Sequence, residues 1–196
     1  MGEPVRLLWV WRHPRPEGAV GRCIGRTDVP VDPRRAKRLA HRIRQEARRQ
    51  GLPRHVLTSP LQRCAAVGRW LKRWGWRHEQ VAQLREMDFG CWDGLAWEQV
   101  PREEIDAWCA AFEQHRPGGG ENLRELLQRA KAWRPPFAPI AVVSHGGWML
   151  ARRWAASGAP APGHPAQWPA APRYGECWHL DAMASGRPLT IAGAAA

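Results

Sequence analysis

The chain has 196 residues, with 30 Lys and Arg against 18 Asp and Glu, which gives a formal net charge of +12 at pH 7 and an isoelectric point near 11.0. This length is enough for one domain with a substantial core, and the positive charge predicts attraction to anions such as phosphorylated small molecules, nucleic acid or membrane surfaces. The basic residues are spread along the chain in short clusters such as Arg34-Arg35, which argues against a dedicated nucleic-acid-binding arm.

The cysteines and the apolar segments exclude several other classes. The five cysteines are an odd number, are widely separated and form no CxxC or CxxH pair, so neither a disulfide framework nor a zinc cluster is expected. Residues 1–6 contain charges and a proline instead of the apolar region of a signal peptide. No apolar run approaches the roughly 18 residues of a membrane span. We therefore expect a cytoplasmic protein without a membrane partner.

The first strong element is the apolar run 7–11, which stops at Arg12, His13 and Pro14. Such a run is typical of a strand that is buried on both faces of a parallel sheet. Pro14 cannot donate to a sheet ladder, so the strand should end there with His13 projecting from its end. Ligand crevices in open α/β sheets lie at the carboxyl ends of strands, which makes Arg12 and His13 candidate site residues. The alternative is a strand end with two solvated polar side chains.

A loop and a helix are predicted after this strand. Residues 15–32 are rich in Gly, Pro and Arg, and within them Arg26 and Thr27 offer a cation and a hydroxyl close to the predicted crevice. Asp32 is a good N-cap, followed by Pro33 at the first helical position. The apolar positions of this helix, which Gly51 should end, are Ala36, Leu39, Ala40, Ile43 and Ala47.

A second strand over residues 56–58 leads into the next helix. Ser59 and Gln62 are spaced as a capping box, with Pro60 at the first helical position. Arg63 would then lie in the first turn, where unpaired amides and the helix dipole favour an anion. The alternative is an ordinary surface arginine. The buried face of this helix should consist of Leu61, Cys64, Ala65, Gly68 and Leu71.

A third strand is predicted within residues 80–84, and a loop with two glycines and three acids follows over 85–94. Any one of these acids could equally be a helix cap or a salt-bridge partner. The apolar positions of the next helix are Ile105, Trp108, Cys109 and Phe112. Asn122 and Glu125 are spaced to cap the following helix, whose apolar face is Leu123, Leu126, Leu127, Ala130 and Trp133.

Residues 140–144 form the second strongly apolar strand, and His145, Gly146 and Gly147 follow at its end. The pattern of the first strand is repeated, because an apolar run again stops at a histidine. The two glycines permit close approach of the backbone to a ligand, and the helix that follows would present its N-terminus there.

Two histidines at strand ends and two arginines near them form a set that suits the binding of a phosphoryl group. The segments around them resemble, in the same order, those of the histidine phosphatase superfamily, also called phosphoglycerate-mutase-like. The matching segments are Arg12-His13, residues 59–63, residues 84–94, Gly120-Glu121 with Arg129, and residues 142–147.

The resemblance implies an α/β fold, a single-domain three-layer sandwich in which a mostly parallel sheet is flanked by helices on both faces. A late strand near residues 177–180 would complete the sheet. We assign residues 1–183 to this domain and residues 184–196 to a C-terminal tail. The tail and the stretch 155–173 are rich in Ala, Pro and Gly and are predicted as loop.

The resemblance also implies roles for individual residues. His13 would be the nucleophile that becomes phosphohistidine, and Glu86 the general acid. The phosphoryl oxygens would be bound by Arg12, Arg63 and His145. Other parts of the substrate would contact Arg26, Thr27 and Gly146. No cofactor or metal ion is needed in this scheme.

The chain departs from the family after the nucleophilic histidine, where the family usually has Gly, then Glu-Thr and a later Asn. Here the positions are Pro14, Arg15 and Pro16, and no Asn follows in the loop. Pro14 removes an amide donor that glycine would provide. We hypothesise that Arg15 or Arg26 compensates for the lost phosphate contacts.

The expected function is hydrolysis of a small phosphorylated metabolite by a phosphomonoesterase. The segment Cys23 to Pro30 is similar to α-ribazole phosphatase-like proteins of cobalamin biosynthesis, which suggests α-ribazole 5′-phosphate as the substrate. Its base needs apolar walls, which could come from Trp92, Trp97 and Trp148. One alternative is a phosphoglycerate mutase, but the chain is short for the insertions that mutases carry. Another is a catalytically silent phosphate- or nucleic-acid-binding module, which the five intact catalytic positions make less favoured. The sequence leaves a homodimer open.

Overall fold

The structure is a computed structural model that describes residues 7–183, so the predicted tail lies outside the described residues. The strands are β1 (Leu7–Arg12), β2 (His55–Thr58), β3 (Arg77–Gln80), β4 (Ile140–Ser144) and β5 (Cys177–Asp181). The α-helices are α1 (Pro33–Gln50), α2 (Gln62–Arg73), α3 (Arg102–Ala110), α4 (Leu123–Ala132) and α5 (Gly146–Ser157).

The five strands form one sheet in the order β3-β2-β4-β1-β5. The pairs β3-β2, β2-β4 and β4-β1 are parallel, and only the edge strand β5 runs antiparallel to its neighbour β1. The carboxyl ends of β2, β4 and β1 therefore meet at one edge of the sheet. The residues that follow these three strands are brought together there, as the strand-end motifs predict.

Side chains of the central strands alternate between two buried layers, because successive residues of a strand point to opposite faces. Leu8, Val10 and Val142 pack on the layer formed by α4 and α5. Trp11 and Val143 pack on the layer formed by α1 and α2. The sheet is covered on both faces, which explains why β1 and β4 are continuous apolar runs. The predicted three-layer α/β fold is confirmed.

Several helix boundaries follow the predicted local signals. The Asp32 side chain accepts a hydrogen bond from the Arg34 amide at 2.7 Å, and Gly51 ends α1 in the left-handed conformation with φ of 65°. At α4, the Asn122 side chain accepts from the Glu125 amide, and the Glu125 carboxylate accepts from the Asn122 amide. Both ends of α1 and the start of α4 are therefore set by short-range contacts.

Two sequence predictions were wrong in detail. The Ser59–Gln62 capping box does not form, because α2 begins at Gln62 and the Ser59 hydroxyl accepts from the Leu61 amide at 3.3 Å. The Gln62 side chain instead donates to Asp28 at 3.1 Å. The third strand lies at residues 77–80 and overlaps the predicted stretch 80–84 only at its last residue, and residues 82–84 form a 3₁₀ turn. β3 is a polar edge strand, so hydrophobicity did not mark it.

Residues 7–183 contain neither a membrane-spanning helix nor a cluster of metal ligands. No helix there is long and apolar enough to cross a membrane. No group of three or more His, Cys, Asp or Glu side chains is placed there to hold a metal ion.

Candidate active site

Two histidines lie side by side at the carboxyl edge of the sheet. The His13 amide donates to the Ser144 carbonyl at 3.0 Å and so extends the β1–β4 ladder by one residue. The rings of His13 and His145 have centroids 5.0 Å apart, with an angle of 60° between their planes. The pairing of two parallel strands is therefore what juxtaposes the two histidines predicted from strand ends.

His13 is held in a form suited to nucleophilic attack. Its Nδ1 lies 2.7 Å from the Pro14 carbonyl oxygen, which can only accept, so Nδ1 carries the proton and Nε2 keeps its lone pair. Burial lowers the pKa of His13 well below 6.5, and the nearby charges of Arg63 and Arg12 lower it further. Only 4% of the residue is exposed. The imidazole is therefore neutral near pH 7.

His145 is fully buried behind His13. Its Nδ1 accepts a hydrogen bond from Arg63 Nε at 3.2 Å, so the proton of the neutral ring lies on Nε2. Burial is the main reason that the pKa of His145 is well below 6.5, followed by the charge of Arg63. Cys64 Sγ lies 3.4 Å from Nε2 and packs against the same ring. His145 thus packs against His13 as a neutral imidazole and accepts a hydrogen bond from Arg63.

Arg63 reaches the histidines from the first turn of α2, and only 1% of it is exposed. Besides its bond to His145, its Nη1 donates to the Thr27 carbonyl at 2.8 Å and its Nη2 to the Gly25 carbonyl at 2.5 Å. These bonds fix the guanidinium plane. The reading of Arg63 as an ordinary surface residue is excluded.

The turn that holds Arg63 is itself held by Asp93. The Asp93 carboxylate accepts from the amides of Gly25, Arg26 and Thr27 at 2.7, 2.9 and 3.0 Å, and from the Thr27 hydroxyl at 2.9 Å. Burial raises the pKa of Asp93, but these hydrogen bonds outweigh burial and leave the pKa below 3.8. Asp93 therefore positions Arg63 through the backbone of residues 25–27.

Arg12 lies between a carbonyl and an aromatic ring. Its Nη1 donates to the Pro172 carbonyl at 2.6 Å, and its Cζ lies 4.0 Å from the centre of the Tyr174 ring. Its Nε is buried and has no hydrogen-bond partner among the described residues. The Tyr174 ring also lies 5.5 Å from that of His13. Sequence reasoning missed Tyr174, which reaches the site only because β5 runs antiparallel beside β1.

Glu86 lies against the N-terminus of α5. Its Oε2 accepts from the Gly147 amide at 3.0 Å, and its Oε1 accepts from the amides of Trp148 and Met87 at 3.1 Å each. A Cβ at position 147 would lie 2.4 Å from Glu86 Oε1, so this approach requires glycine. The absence of a side chain at Gly147 thus admits the Glu86 carboxylate.

Arg129 supports the segment that carries Glu86. Its guanidinium forms two hydrogen bonds with the Glu121 carboxylate, at 2.8 and 2.7 Å. It also donates to the carbonyls of Gln83 and Arg85 at 2.7 and 2.9 Å. Glu121 and Arg129, which belong to the family resemblance, therefore stabilise the loop that precedes Glu86.

A cavity of about 430 Å³ opens beside these groups. Of the predicted site residues, those that line it are Arg12, His13, Arg63, Glu86 and Gly146. His145 contacts His13 and Arg63 from behind and does not border the cavity. The structure therefore brings together six of the eight predicted site residues.

The other two, Arg26 and Thr27, do not line the cavity. Arg26 Nη1 lies 3.0 Å from Asp88 Oδ2, and its Nη2 lies 3.8 Å from Glu121 Oε2. Both side chains connect loops instead, since Arg26 pairs with Asp88 and the Thr27 hydroxyl donates to Asp93. Arg15 is exposed and also lies away from the cavity, so neither suggested replacement for the lost phosphate contacts borders it.

The three tryptophans suggested as groove walls separate into two groups. Trp97 lines the cavity and is 38% exposed. Trp92 and Trp148 are 1% and 0% exposed and belong to the hydrophobic core. Cavity walls that sequence reasoning did not single out include Arg22, Trp108, Trp168 and Tyr174. Segments distant in sequence supply them, among them α3 with Trp108, so no local pattern shows that they meet at one cavity.

Comparisons with known proteins agree with this geometry. A family model described as the histidine phosphatase superfamily (branch 1) matches residues 8–170. None of the curated proteins compared with the chain matches it. The solved structure of a mycobacterial glucosyl-3-phosphoglycerate phosphatase with VO3 is 22% identical, with a TM-score of 0.71 over 90% of this chain and 91% of that chain. The structure of TTHB049 from Thermus thermophilus is 25% identical, with a TM-score of 0.64 over 89% of this chain and 93% of that chain.

Proposed function

This chain belongs to the histidine phosphatase superfamily, and we propose that it is a phosphomonoesterase that hydrolyses a small phosphorylated metabolite through a phosphohistidine at His13. The observation that carries the proposal is the state of His13. Its Nδ1 is bound to the Pro14 carbonyl, its neutral form is favoured, and it borders the cavity together with Arg12 and Arg63.

In the first step, His13 Nε2 attacks the phosphorus atom and the bond from phosphorus to the ester oxygen breaks. Arg12 and Arg63 stabilise the negative charge on the phosphoryl oxygens, which is the main task in phosphoryl transfer. His13 is thereby converted to a phosphoramidate.

Glu86 would supply the proton that the departing alcohol oxygen needs. In the second step it accepts a proton from the water that attacks the phosphohistidine, which releases phosphate and restores His13. The proposal is supported by the position of Glu86 on the cavity wall. General acid catalysis of this kind typically contributes about 10²–10⁴-fold in rate.

The function is tested by trapping the intermediate. Wild-type protein mixed with a ³²P-labelled ester and quenched in base should carry label on His13, and the label should be lost in acid, as expected of a phosphoramidate. His13→Ala should abolish both label and turnover, whereas the exposed His164→Ala should change neither. An acid-stable adduct on Ser or Thr, or full activity in His13→Ala, would contradict the mechanism.

As the specific substrate, we propose a phosphomonoester that carries an aromatic base, such as α-ribazole 5′-phosphate. The segment 23–30 and the aromatic wall at Trp97 support it. Stacking and burial of a base are expected to favour it over 3-phosphoglycerate by at least about tenfold in kcat/KM. A panel with both esters and glucosyl-3-phosphoglycerate measures this. Preference for 3-phosphoglycerate, or phosphoryl transfer outpacing hydrolysis, would favour the mutase alternative instead.

We propose that the reaction is independent of metal ions, which the absence of a ligand cluster within residues 7–183 supports. Turnover should be unchanged after dialysis against EDTA. A loss of activity that Mg²⁺ or Zn²⁺ restores would contradict this.

A further inference from the structure

Two neighbouring helices carry nearly all of the positive charge excess of the chain. α1 contains eight Lys or Arg and one acid, and α2 contains four Lys or Arg and no acid. The three other α-helices contain six Lys or Arg and four acids between them. The formal net charge of +12 is therefore concentrated on α1 and α2, although the basic residues look dispersed along the sequence.

The cations of α1 and α2 lie on the same side of the molecule. Both helices pack on one face of the sheet, where Ile43 of α1 and Leu71 of α2 belong to the same core cluster. The buried positions of α1 are all apolar, so its Lys and Arg residues occupy the outward part of a helix about 27 Å long. We call the Lys and Arg residues of α1 and α2, apart from the active-site Arg63, the basic face.

Neighbouring acids do not neutralise the basic face. Within residues 7–183, its only salt bridge joins Arg49 to Glu46 at 3.2 Å. On the other side of the sheet, by contrast, an exposed cation such as Arg124 pairs with Glu113 at 2.7 Å. Like charges that are held close together repel one another, so an anionic partner would relieve this repulsion.

Two half-buried tryptophans lie among the cations of the basic face. Lys37 Nζ and Arg73 Cζ lie 5.1 and 4.9 Å from the centre of the Trp70 ring. Arg44 Cζ lies 4.9 Å from the centre of the Trp74 ring. Single-stranded nucleic acids bind by stacking their bases on free aromatic rings. Rings that already contact the protein's own cations are poor platforms for such stacking.

The packing of the two helices also disfavours a nucleic-acid duplex. Lys37 of α1 contacts Trp70 of α2, so the helices are direct neighbours, and the axes of packed helices lie about 8–10 Å apart. The major groove of DNA is about 12 Å wide and admits one helix. If α1 entered it, α2 would collide with the phosphate backbone. A flat anionic surface can contact both helices at once.

No large apolar side chain is exposed on α1 or α2. The exposed large hydrophobic residues within 7–183 lie elsewhere, at Val20, Trp97, Phe137, Tyr174 and Met183. Contact with a bilayer would therefore stay at the level of the headgroups and depend on charge. Each Lys or Arg near an anionic bilayer contributes roughly fivefold in affinity.

We propose that the basic face is a docking surface for an anionic lipid bilayer, whose phosphate groups its Lys and Arg side chains bind. The expectation of no membrane partner rested on the lack of an apolar span, and peripheral binding needs none. The residues of the basic face do not line the cavity, so this surface is distinct from the site of the proposed reaction.

Sedimentation with vesicles tests the docking surface. The protein should sediment with vesicles that contain phosphatidylglycerol and not with vesicles of phosphatidylcholine alone. Binding should be lost when the salt concentration rises from about 0.1 M to about 1 M, where the Debye length falls to about 3 Å. No binding to phosphatidylglycerol vesicles at the lower salt concentration would overturn the inference.

The triple variant Arg38→Gln/Arg48→Gln/Lys72→Gln weakens the basic face. All three side chains are exposed and lie away from the cavity. The partition coefficient onto phosphatidylglycerol vesicles should fall at least about tenfold. The circular dichroism spectrum and the turnover of a small aryl phosphate in solution should be unchanged, which would show that the variant is folded.

The matched control, Arg124→Gln/Lys131→Gln/Arg153→Gln, removes the same charge from exposed positions of α4 and α5. Its partition coefficient should change by less than about twofold. Equal losses in the two triple variants would overturn the basic face, because binding would then follow the net charge of the whole protein.

Oligonucleotides test the other class of polyanion. A DNA duplex and a single strand should each bind more weakly per phosphate than the phosphatidylglycerol vesicles do. Tighter binding of either one would overturn the choice of a bilayer. His13→Ala protein should bind the vesicles as the wild type does. Docking and the phosphohistidine mechanism are therefore tested separately, and failure of one leaves the other standing.

Discussion

At the scale of single residues, Glu86 combines two tasks. Its carboxylate accepts three backbone hydrogen bonds, two of them from the first turn of α5, and it also borders the cavity. A carboxylate at a helix N-terminus is stabilised by the exposed amides and by the helix dipole. The acid of the proposed reaction is thus also a structural cap.

The two tasks of Glu86 can be separated with Glu86→Gln. The amide keeps one oxygen acceptor for α5 but has no acidic proton, so esters of poor leaving groups should slow by about 10²–10⁴-fold. Activated aryl phosphates, which need no proton, should slow far less. Steady-state kinetics on both substrate types measures the difference. Equal losses on both substrate types would show that another residue is the general acid. Asp88 is a poor candidate, because it pairs with Arg26 and does not line the cavity.

At the scale of elements, the turn at residues 25–27 and the first turn of α2 depend on one carboxylate. Asp93 holds the backbone of this turn, and the turn's carbonyls hold the guanidinium of Arg63. Asp93 itself does not border the cavity, so it is a positioning residue.

Asp93→Asn should therefore impair catalysis indirectly. The amide nitrogen would face backbone donors, and the turn should shift and carry Arg63 with it. We expect kcat to fall by about 10-fold or more, since misplacement of a phosphoryl-binding group is costly. Asp106→Asn, an exposed salt-bridge residue of α3, is the control and should leave kinetics unchanged. A fall in stability with normal kcat would show that Asp93 acts only on folding.

A second inter-element connection is the buried Arg152 of α5. It is 0% exposed and donates to carbonyls at the end of α4 and at β5, which are those of Ala130, Lys131, Trp133, Asp181 and Ala182. Burial lowers its pKa to about 10, so it remains charged at neutral pH. The Arg152 guanidinium thus donates hydrogen bonds to carbonyls at the C-terminal end of α4 and at the C-terminal end of β5.

Arg152→Met should cost about 3 kcal/mol or more of the free energy of unfolding, because several buried carbonyls lose their donor at once. Urea unfolding measures it. The neighbouring Arg153→Met is a matched control, since Arg153 is exposed and only lies over the Trp178 ring at 5.0 Å. Its cost should stay below about 1 kcal/mol. Equal costs for the two variants would contradict the bridging role.

At the scale of the whole molecule, stability depends on histidines that stay neutral when folded. Burial is the largest cause of the lowered pKa of His13, His145 and His78, and with the charges of Arg69 and Lys72 it brings the pKa of His78 from 6.5 to about 4. Below about pH 6.5 the unfolded chain binds protons at these positions and the folded chain does not. Stability is therefore fully present above pH 6.5 and is lost as the pH falls below it.

Each such histidine changes the free energy of unfolding by up to about 1.4 kcal/mol per pH unit. The free energy of unfolding in urea should thus fall steadily between pH 6.5 and about pH 5. His78 does not line the cavity. His78→Gln should therefore reduce the pH dependence of the free energy of unfolding by up to the contribution of one histidine, about 1.4 kcal/mol per pH unit. A stability that is constant over this range would contradict the assignment of buried neutral histidines.

The sequence alone determined the features that depend on neighbours along the chain. The apolar runs of β1 and β4 can be read directly because both faces of the sheet are buried, and the caps at Asp32 and Asn122 are short-range hydrogen bonds. In an α/β sheet the ends of such strands meet at one edge. This is why the adjacent placement of His13 and His145 at that edge could be predicted.

Only the tertiary structure decided which side chains near these motifs face the cavity. Arg26 pairs with Asp88, Trp92 and Trp148 lie in the core, and Tyr174 lies in the turn before the antiparallel edge strand β5. Local sequence patterns report burial and periodicity but not which of several loops will pack together. That choice depends on contacts between residues far apart in the chain, as with the bond from Arg12 to the carbonyl of Pro172, and no short-range signal encodes them.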